Sequence, residues 1–245
     1  GTWVMQGAQN FGSPSGWSKV KVSTDFENWA DVDVGLTGLW RIAGYDQGAF
    51  CVAELGVGST NKVRRSVDGG LNWSGAVSLS SSSQWYDMEA GNGRLLLTSQ
   101  VSTTGCESTD GGASWASKTF PSAGMYLWSG PGGVWLSRDT SDVVRLSIDN
   151  AASWSTVTTL PHVAWMGRNY KGRLVVSMRA TTDQAAYYET GVGWVVVTMP
   201  ESVQNGELVH GGGVLYMTGS SKLLYTTDGK QWQYAGVSSF PTALP

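Results

Sequence analysis

The sequence predicts an all-β protein built from six repeated units of four short strands. A motif of the form Ser-x-Asp-x-Gly-x-x-Trp recurs along the 245 residues, and the acidic residues of successive copies are 43, 42, 39, 40 and 39 positions apart. A fixed period of about 40 residues is typical of repeated supersecondary units. Alternating apolar and polar segments fill the intervals, and no long stretch has the periodicity of a helix. Six copies leave no room for a second domain, so residues 1–245 are predicted to form one domain.

The motif has the composition of a tight hairpin turn. Ser or Thr ends one strand, the carboxylate can accept hydrogen bonds from N–H groups of the turn, and a following glycine supplies positive φ. The tryptophan then begins the next strand and covers the hairpin. The acidic residues are Asp25, Asp68, Asp110, Asp149, Glu189 and Asp228, and the tryptophans are Trp29, Trp73, Trp115, Trp154, Trp194 and Trp232. All twelve are predicted to be structural.

The motif resembles the Asp-box, or BNR repeat, of sialidase-type β-propellers, and the resemblance extends over essentially the whole chain. The copies at Asp68, Asp110 and Asp149 match best, although Asn150-Ala151 replaces the glycines of the third. The copy at Glu189 is degenerate, and the copy at Asp25 lacks glycine. The resemblance implies a six-bladed β-propeller with four-stranded antiparallel blades, whose strands are called A to D, and with the motif between strands C and D.

The strands of each blade can be assigned in order from the alternating segments and their glycine turns. The first blade begins with a B strand at 3–6 and has no A strand before it, so residues 239–244 are predicted to return as that strand and close the ring. The other assignments for strands A and B are 39–43 with 49–54, 85–90 with 94–99, 126–129 with 134–137, 163–166 with 174–178, and 207–210 with 214–218.

A binding face follows from this arrangement. The C–D and A–B turns share one face, so the D–A and B–C connections gather on the other, which carries the site in sialidase-like propellers. Aromatic rings beside carboxylates and guanidinium groups are a usual means of holding a sugar. The alternative is that these rings fill the central channel. The candidate ligand-binding residues are Trp40, Arg41, Trp85, Tyr86, Asp87, Tyr126, Arg138, Arg179 and Glu207, and Phe11, Trp17, Asp139, Asp142 and Asp183 lie in or beside the B–C loops.

Two enzymatic alternatives remain open. Trp40-Arg41-Ile42-Ala43 resembles the Phe/Tyr-Arg-Ile-Pro motif of sialidases, in which three arginines grip a substrate carboxylate, here Arg41, Arg138 and Arg179. Ala43 in place of proline weakens that resemblance. Asp87 and Glu207 occupy matching places in two blades and could act as the paired carboxylates of a glycosidase.

Composition excludes several other classes. The net charge is −3 and no Lys/Arg run occurs, which argues against a nucleic-acid partner. No apolar run approaches the length that spans a bilayer, so membrane insertion is not expected. Cys51 and Cys106 are predicted to be small buried residues, not a bridged pair, and no His/Cys spacing indicates a zinc site. No metal or other cofactor is expected.

Together these observations favour a non-catalytic recognition module for extracellular or cell-surface glycans. Only 14% of the residues are charged, and with short blades this resembles lectin-like propellers and those of bacteriophage tails or fibres. The resemblance implies an extracellular or virion-associated location, with a glycosylated cell surface or other virion subunits as partners. The alternatives are a sialidase-like hydrolase and a purely architectural virion protein.

Overall fold

Strands are the only regular secondary structure in the computed structural model, which describes residues 3–6, 19–25, 27–35, 39–55, 60–218 and 223–235. Within these ranges 23 strands form six antiparallel sheets, and no helix occurs. The chain divides into two compact units, residues 1–127 and 128–245, with the boundary inside the first strand of the fourth sheet.

The first unit contains three sheets whose strands follow one another in sequence order. In the first sheet, β1 pairs along its length with β2, from Trp3 opposite Ser23 to Gln6 opposite Val20. The strands are β1 (Trp3–Gln6), β2 (Lys19–Ser23) and β3 (Ala30–Asp33) in the first sheet, β4 (Leu39–Asp46), β5 (Ala49–Leu55), β6 (Thr60–Ser66) and β7 (Val77–Ser83) in the second, and β8 (Trp85–Gly91), β9 (Arg94–Ser99), β10 (Thr104–Ser108) and β11 (Ala116–Thr119) in the third.

The second unit begins within the fourth sheet and contains the fifth and sixth. Their strands are also arranged in sequence order. They are β12 (Tyr126–Ser129), β13 (Trp135–Arg138), β14 (Val144–Ser147) and β15 (Ser155–Thr156), then β16 (Ala164–Tyr170), β17 (Arg173–Met178), β18 (Thr182–Glu189) and β19 (Gly193–Val203), then β20 (Glu207–Gly211), β21 (Val214–Thr218), β22 (Leu223–Thr226) and β23 (Gln233–Tyr234).

The predicted strands are confirmed, and the six sheets match the six predicted repeats. The segment 3–6 is a strand that pairs with the strand before the Asp25 turn, and the A and B strands predicted for the other five repeats are present with ends within a few residues. The closing strand at 239–244 lies outside the described residues, as do Phe11 and Trp17. Closure of the sheets into one ring therefore remains a prediction.

In the third, fourth and fifth sheets the second strand is the most deeply buried one. In β9 and β17 five consecutive residues are buried, including Leu95–Leu97 and Leu174–Val176. Such strands read as continuous apolar runs because both of their faces are covered. Apolar clusters fill the space between successive sheets: one joins the second and third sheets through Cys51, Leu97 and Trp115, and another joins the fifth and sixth.

Glycine-rich hairpins join the first two strands of the second to sixth sheets. Both central residues have positive φ, as in Asn92-Gly93 and Lys171-Gly172, which is the geometry of a type I′ turn. In the first unit the Gln47 Nε2 of one such hairpin donates to the Gly93 carbonyl of the next, at 3.0 Å, and to Thr109 in the motif turn of that sheet, at 3.3 Å. The two kinds of turn therefore share one end of the sheets, and the other connections lie at the opposite end.

The second unit repeats this arrangement. The Tyr170 hydroxyl donates to the Gly213 carbonyl at 2.5 Å, and the Lys171 ammonium donates to the Thr227 carbonyl at 2.7 Å. The hairpin of the fifth sheet thus contacts both the hairpin and the motif turn of the sixth. In the second to sixth sheets the starts of the first strands and the ends of the second strands are therefore left at the other end.

Candidate functional site

The motif turns, hereafter the acidic turns, are closed by their own side chains. In the third sheet the Ser108 hydroxyl donates to Asp110 Oδ1 at 2.8 Å and accepts the Gly112 N–H at 2.8 Å. Asp110 also accepts the Ser114 N–H at 2.9 Å and the Ser114 hydroxyl at 2.6 Å. All of these hydrogen bonds to the Asp110 carboxylate therefore come from groups within four residues of it.

Four other acidic turns repeat this pattern with small changes. Asp68 accepts from Ser66 and twice from Asn72, and Asp149 accepts from Ser147 and twice from Ser153. In the fourth sheet Asn150 and Ala151 take the positive φ of the missing glycines, at 58° and 64°. Asp25 and Asp228 are closed by equivalent bonds from Ser23, Glu27 and Asn28, and from Thr226, Lys230 and Gln231.

These hydrogen bonds lower the pKa values of the aspartates in the acidic turns. The Ser114 hydroxyl, followed by backbone N–H groups and Ser108, lowers the pKa of Asp110 from 3.8 to about 2. The Asn72 backbone and side-chain amides lower the pKa of Asp68 to about 2. Asn28 and Ser153 hold the pKa of Asp25 and Asp149 below the usual range for the same reason. Carboxylates that are ionised at neutral pH and have fixed donors are suited to holding a turn.

The acidic turn of the fifth sheet is built differently. Tyr187 replaces the serine, and Glu189 pairs with Arg173 at 2.9 Å and with Lys230 of the sixth sheet at 3.6 Å. These ion pairs, with Arg173 the stronger partner, lower the pKa of Glu189. Arg173 and Lys230 also lie over the Tyr187 ring, at 5.6 and 5.4 Å from its centroid. An ion network between sheets thus takes the place of the local hydrogen bonds.

At the opposite end of the sheets, two aromatic residues occupy matching β-bulges. Tyr86 is the extra residue between Trp85, which pairs with Ser99, and Asp87, which pairs with Thr98. Trp165 is the extra residue between Ala164, opposite Met178, and Met166, opposite Ser177. Bulges re-aim a side chain and are common beside binding sites. Both rings are half-buried. Trp85, which precedes Tyr86 and was also a predicted ligand-binding residue, is instead buried in the core at 4% exposure.

In the first unit the Tyr86 ring belongs to a cluster that includes three of the predicted ligand-binding residues: Tyr86, Asp87 and Tyr126. The Tyr86 and Tyr126 ring centroids are 4.7 Å apart with a tilt of 55°. Asp87 Oδ2 accepts the Leu127 N–H at 2.9 Å, so this carboxylate joins two neighbouring first strands. The buried Thr98 hydroxyl donates to the Met125 carbonyl at 2.7 Å and fixes the residue that precedes Tyr126.

In the second unit three sheets each contribute one side chain to a cluster that we call the Trp165 cluster: Arg138, Trp165 and Glu207. The Arg138 guanidinium carbon lies over the Trp165 ring, 4.8 Å from its centroid. The Trp165 Nε1–H donates to Glu207 Oε1 at 3.4 Å. Arg138 is 6% exposed, whereas Glu207 is exposed. The arrangement joins a buried cation, a half-buried ring and an exposed carboxylate.

A second ion pair lies at the same end of this unit. Arg179 follows β17 and pairs with Asp142, which has a φ of 63° in the loop after β13. Asp139 holds that loop by accepting the N–H groups of Ser141 and Val143 and the Arg145 guanidinium. Both predicted arginines of the second unit are therefore engaged by protein groups. The Trp40 and Arg41 side chains lie outside those that the structure describes, so the predicted arginine triad stays a prediction.

Sequence reasoning missed Trp165 as a candidate. Counted back from the positive-φ hairpins, Tyr86, Tyr126 and Trp165 occupy the same position in three successive sheets. That alignment is the sequence feature that could have identified Trp165 as a candidate.

Among the described residues no group of three or more His, Cys, Asp or Glu side chains could hold a metal ion. In the same part of the chain no helix has the length and hydropathy needed to span a membrane.

The comparisons with known proteins show the fold alone. No family model and no curated protein sequence matches the chain. Three β-propeller structures are similar to it over most of its length. A streptogramin B lyase is 13% identical with a TM-score of 0.67, over 92% of this chain and 77% of the lyase. YCF48 bound to a D1 peptide is 16% identical with a TM-score of 0.61, over 90% of this chain and 75% of YCF48.

The third structure is a GH74 enzyme from Niastella koreensis, 15% identical with a TM-score of 0.60. It matches 97% of this chain, which covers 38% of the enzyme. The three similar proteins share an architecture but differ in function: two are enzymes of different kinds and one is bound to a peptide. Their architecture agrees with the six sheets, without a helix, of the described residues. The chain therefore has a propeller-like all-β fold.

Proposed function

We propose that the protein is a non-catalytic recognition module that binds glycans at the end of the sheets opposite the acidic turns. One observation carries the proposal: in each unit a bulged aromatic residue lies at the start of a first strand beside a carboxylate, Tyr86 beside Asp87 and Trp165 beside Glu207. Rings that cover the C–H face of a sugar and carboxylates that accept its hydroxyls form the usual composition of a saccharide site.

The state of the charged groups supports binding over catalysis. Asp87 accepts a backbone N–H, and Glu207 accepts the Trp165 indole N–H, so both carboxylates have fixed structural partners. Arg138 is buried against Trp165, and Arg179 pairs with Asp142. A sialidase-like enzyme would need these arginines to converge on a substrate carboxylate instead.

The wider setting belongs to the same proposal. The six sheets are taken as the blades of one ring of the Asp-box type, closed by residues 239–244. An extracellular or virion-associated location fits the low content of charged residues, with a glycosylated cell surface or other virion subunits as partners. Deletion of residues 236–245 is expected to lower the melting temperature, and an unchanged melting temperature would contradict ring closure by this segment.

A glycan-array screen of the purified chain, beside turnover of a fluorogenic sialoside, tests the proposal. The variants are Tyr86→Ala, Trp165→Ala and Arg41→Ala, with Tyr234→Phe as an aromatic control on β23. We expect binding without turnover, weakened by about tenfold in the Tyr86 or the Trp165 variant and unchanged in the control.

The other outcomes separate the alternatives. Turnover that is lost with Arg41 would establish the sialidase-like enzyme. Absence of both binding and turnover would leave an architectural role. Melting temperatures of all variants show whether a lost signal reflects the site or a loss of folding.

A further inference from the structure

We infer that the Trp165 cluster selects neutral sugars over acidic ones, with Trp165 as the stacking residue and Glu207 as the group that sets the selectivity. This inference rests on the proposed function and specifies the ligand class for one of its two clusters. It concerns only the second unit, in which Arg138, Trp165 and Glu207 contact one another.

The Trp165 ring is partly exposed and is contacted on one face and at its N–H edge. The Arg138 guanidinium covers one face of the ring at 4.8 Å, and the indole N–H is directed to Glu207. The bulge between Ala164 and Met166 turns the side chain out of the regular strand alternation. Since the ring remains partly exposed, a sugar would stack on the face opposite Arg138.

The backbone at Glu207 is held by two hydrogen bonds. The buried Ser177 hydroxyl donates to the carbonyl of the preceding residue, Gly206, at 2.6 Å, and the Glu207 N–H donates to Thr218 Oγ1 at 3.3 Å. A carboxylate has about four lone-pair sites. The bond from Trp165 uses one site, and sugar hydroxyls can donate to others.

The accessible charge beside the ring is negative. Of Arg138 and Glu207, the two charged side chains that meet the Trp165 ring in the described part of the chain, only Glu207 is exposed. Arg179, which could attract an acidic ligand from the next strand end, is paired with Asp142. A sialic or uronic acid carboxylate bound on the exposed side of the cluster, beside Glu207, would therefore meet a like charge, whereas a neutral sugar would not.

Fluorine NMR of the full chain labelled with 5-fluorotryptophan tests the first part of the inference. Comparison of wild type with Trp165→Phe assigns the Trp165 resonance, and the probes are the best neutral glycan from the array and its sialylated counterpart. We expect the neutral glycan to shift the Trp165 resonance and to bind about fivefold more tightly than the sialylated one. A resonance that stays unchanged when a glycan is bound elsewhere on the chain would overturn the assignment of Trp165.

Glu207→Gln tests the second part because it keeps an acceptor oxygen and removes the charge. We expect affinity for the neutral glycan to stay within about threefold and affinity for the sialylated one to rise about fivefold. Glu27→Gln, an exposed residue in the acidic turn of the first sheet, makes the same change in net charge and should leave both affinities unaltered. Equal gains in the two variants would show a general charge effect and overturn the role of Glu207.

The two levels of the proposal fail in different ways. If no glycan of either class binds, the proposed function fails and the inference fails with it. If glycans bind but acidic ones bind more tightly through Trp165, the recognition function stands and the inferred selectivity is wrong.

Discussion

The Sγ atom of Cys51 lies 2.2 Å from the position that a Cβ atom would take on Gly112. Gly112, with a φ of 85°, belongs to the acidic turn of the third sheet, and Cys51 belongs to the second strand of the second sheet. The contact therefore ties the closing of a turn to the packing of two sheets in the first unit. Glycine is therefore required at position 112 for two reasons: its positive φ, and the space that the absent Cβ atom leaves for Cys51.

Gly112→Ala is expected to lower the free energy of unfolding by roughly 3 kcal/mol, because positive φ and overpacking act together. Gly132→Ala is the matched control, since its φ is 62° and no atom lies within 4 Å of the added Cβ. That control should lose only about 1 kcal/mol. Urea unfolding measures both, and Cys51→Ala should restore part of the loss in the Gly112 variant. Equal losses at the two glycines would contradict the packing argument.

The acidic turns are expected to make stability depend on pH below about pH 4. The pKa of Asp110 is lowered in the folded protein, so its contribution is fully present above the unfolded pKa and is lost as the pH falls toward about 2. Ser114→Ala removes the largest cause and should raise the Asp110 pKa toward 3.8, as measured by carbon NMR of the carboxyl group.

Unfolding measurements between pH 2 and 6 complete this test. Wild type and Ser114→Ala should differ at pH 6 and converge toward about pH 2, where Asp110 becomes protonated in both. Ser117→Ala, at an exposed position of β11, serves as the control and should follow wild type throughout. A constant difference between Ser114→Ala and wild type would show that the turn is not held by the ionised carboxylate.

Two fully buried serines on corresponding second strands should respond oppositely to removal of their hydroxyls. Ser177 donates to the Gly206 carbonyl at 2.6 Å, whereas the Ser137 hydroxyl has no hydrogen-bond partner. Ser177→Ala is expected to destabilise by about 1–3 kcal/mol, because the Gly206 carbonyl is left buried and unsatisfied. Ser137→Ala should be neutral or slightly stabilising in the same urea titration. A similar loss in both variants would show that packing, not the hydrogen bond, matters at this position.

The two thiols should be unreactive until the protein unfolds. Cys51 and Cys106 form no disulfide and are completely buried, and burial raises the pKa of Cys51 to about 12. Iodoacetamide at pH 8 should leave the native chain unlabelled and should label both residues in urea, as read by mass spectrometry. Ser117→Cys provides an exposed thiol as a positive control. Labelling of native wild type at the rate of that control would contradict the burial.

The strands and the acidic turns could be predicted because their signals are local. The interval between acidic residues gave six units, and the glycine pairs located the hairpins to within a few residues. Asp110 was predicted to hold its own turn, and its bonds to Ser108 and Ser114 stay within four residues. Such features depend on residues that are close in sequence, so they can be recognised from a short sequence motif.

The candidate site could be predicted only in part because it depends on register and on contacts between sheets. Trp165 was overlooked although it aligns with Tyr86 and Tyr126, because a bulge decides where its ring points. Trp85 and Arg138 were named with the exposed candidates, but the packing of adjacent sheets leaves them 4% and 6% exposed. Burial of one sheet by the next is a long-range property, and the alternating pattern of a single strand does not reveal it.

The locality of the acidic turns has a consequence for how such a chain can arise. The carboxylate of such a turn is satisfied within its own copy, so a segment of about 40 residues can be duplicated without redesign of those bonds. Only the contacts between copies, such as Cys51 with Gly112 or Glu189 with Lys230, must then be adjusted. The fifth copy has Tyr187 and Glu189 where the other copies have Ser or Thr and Asp, and its four-stranded sheet is nevertheless formed.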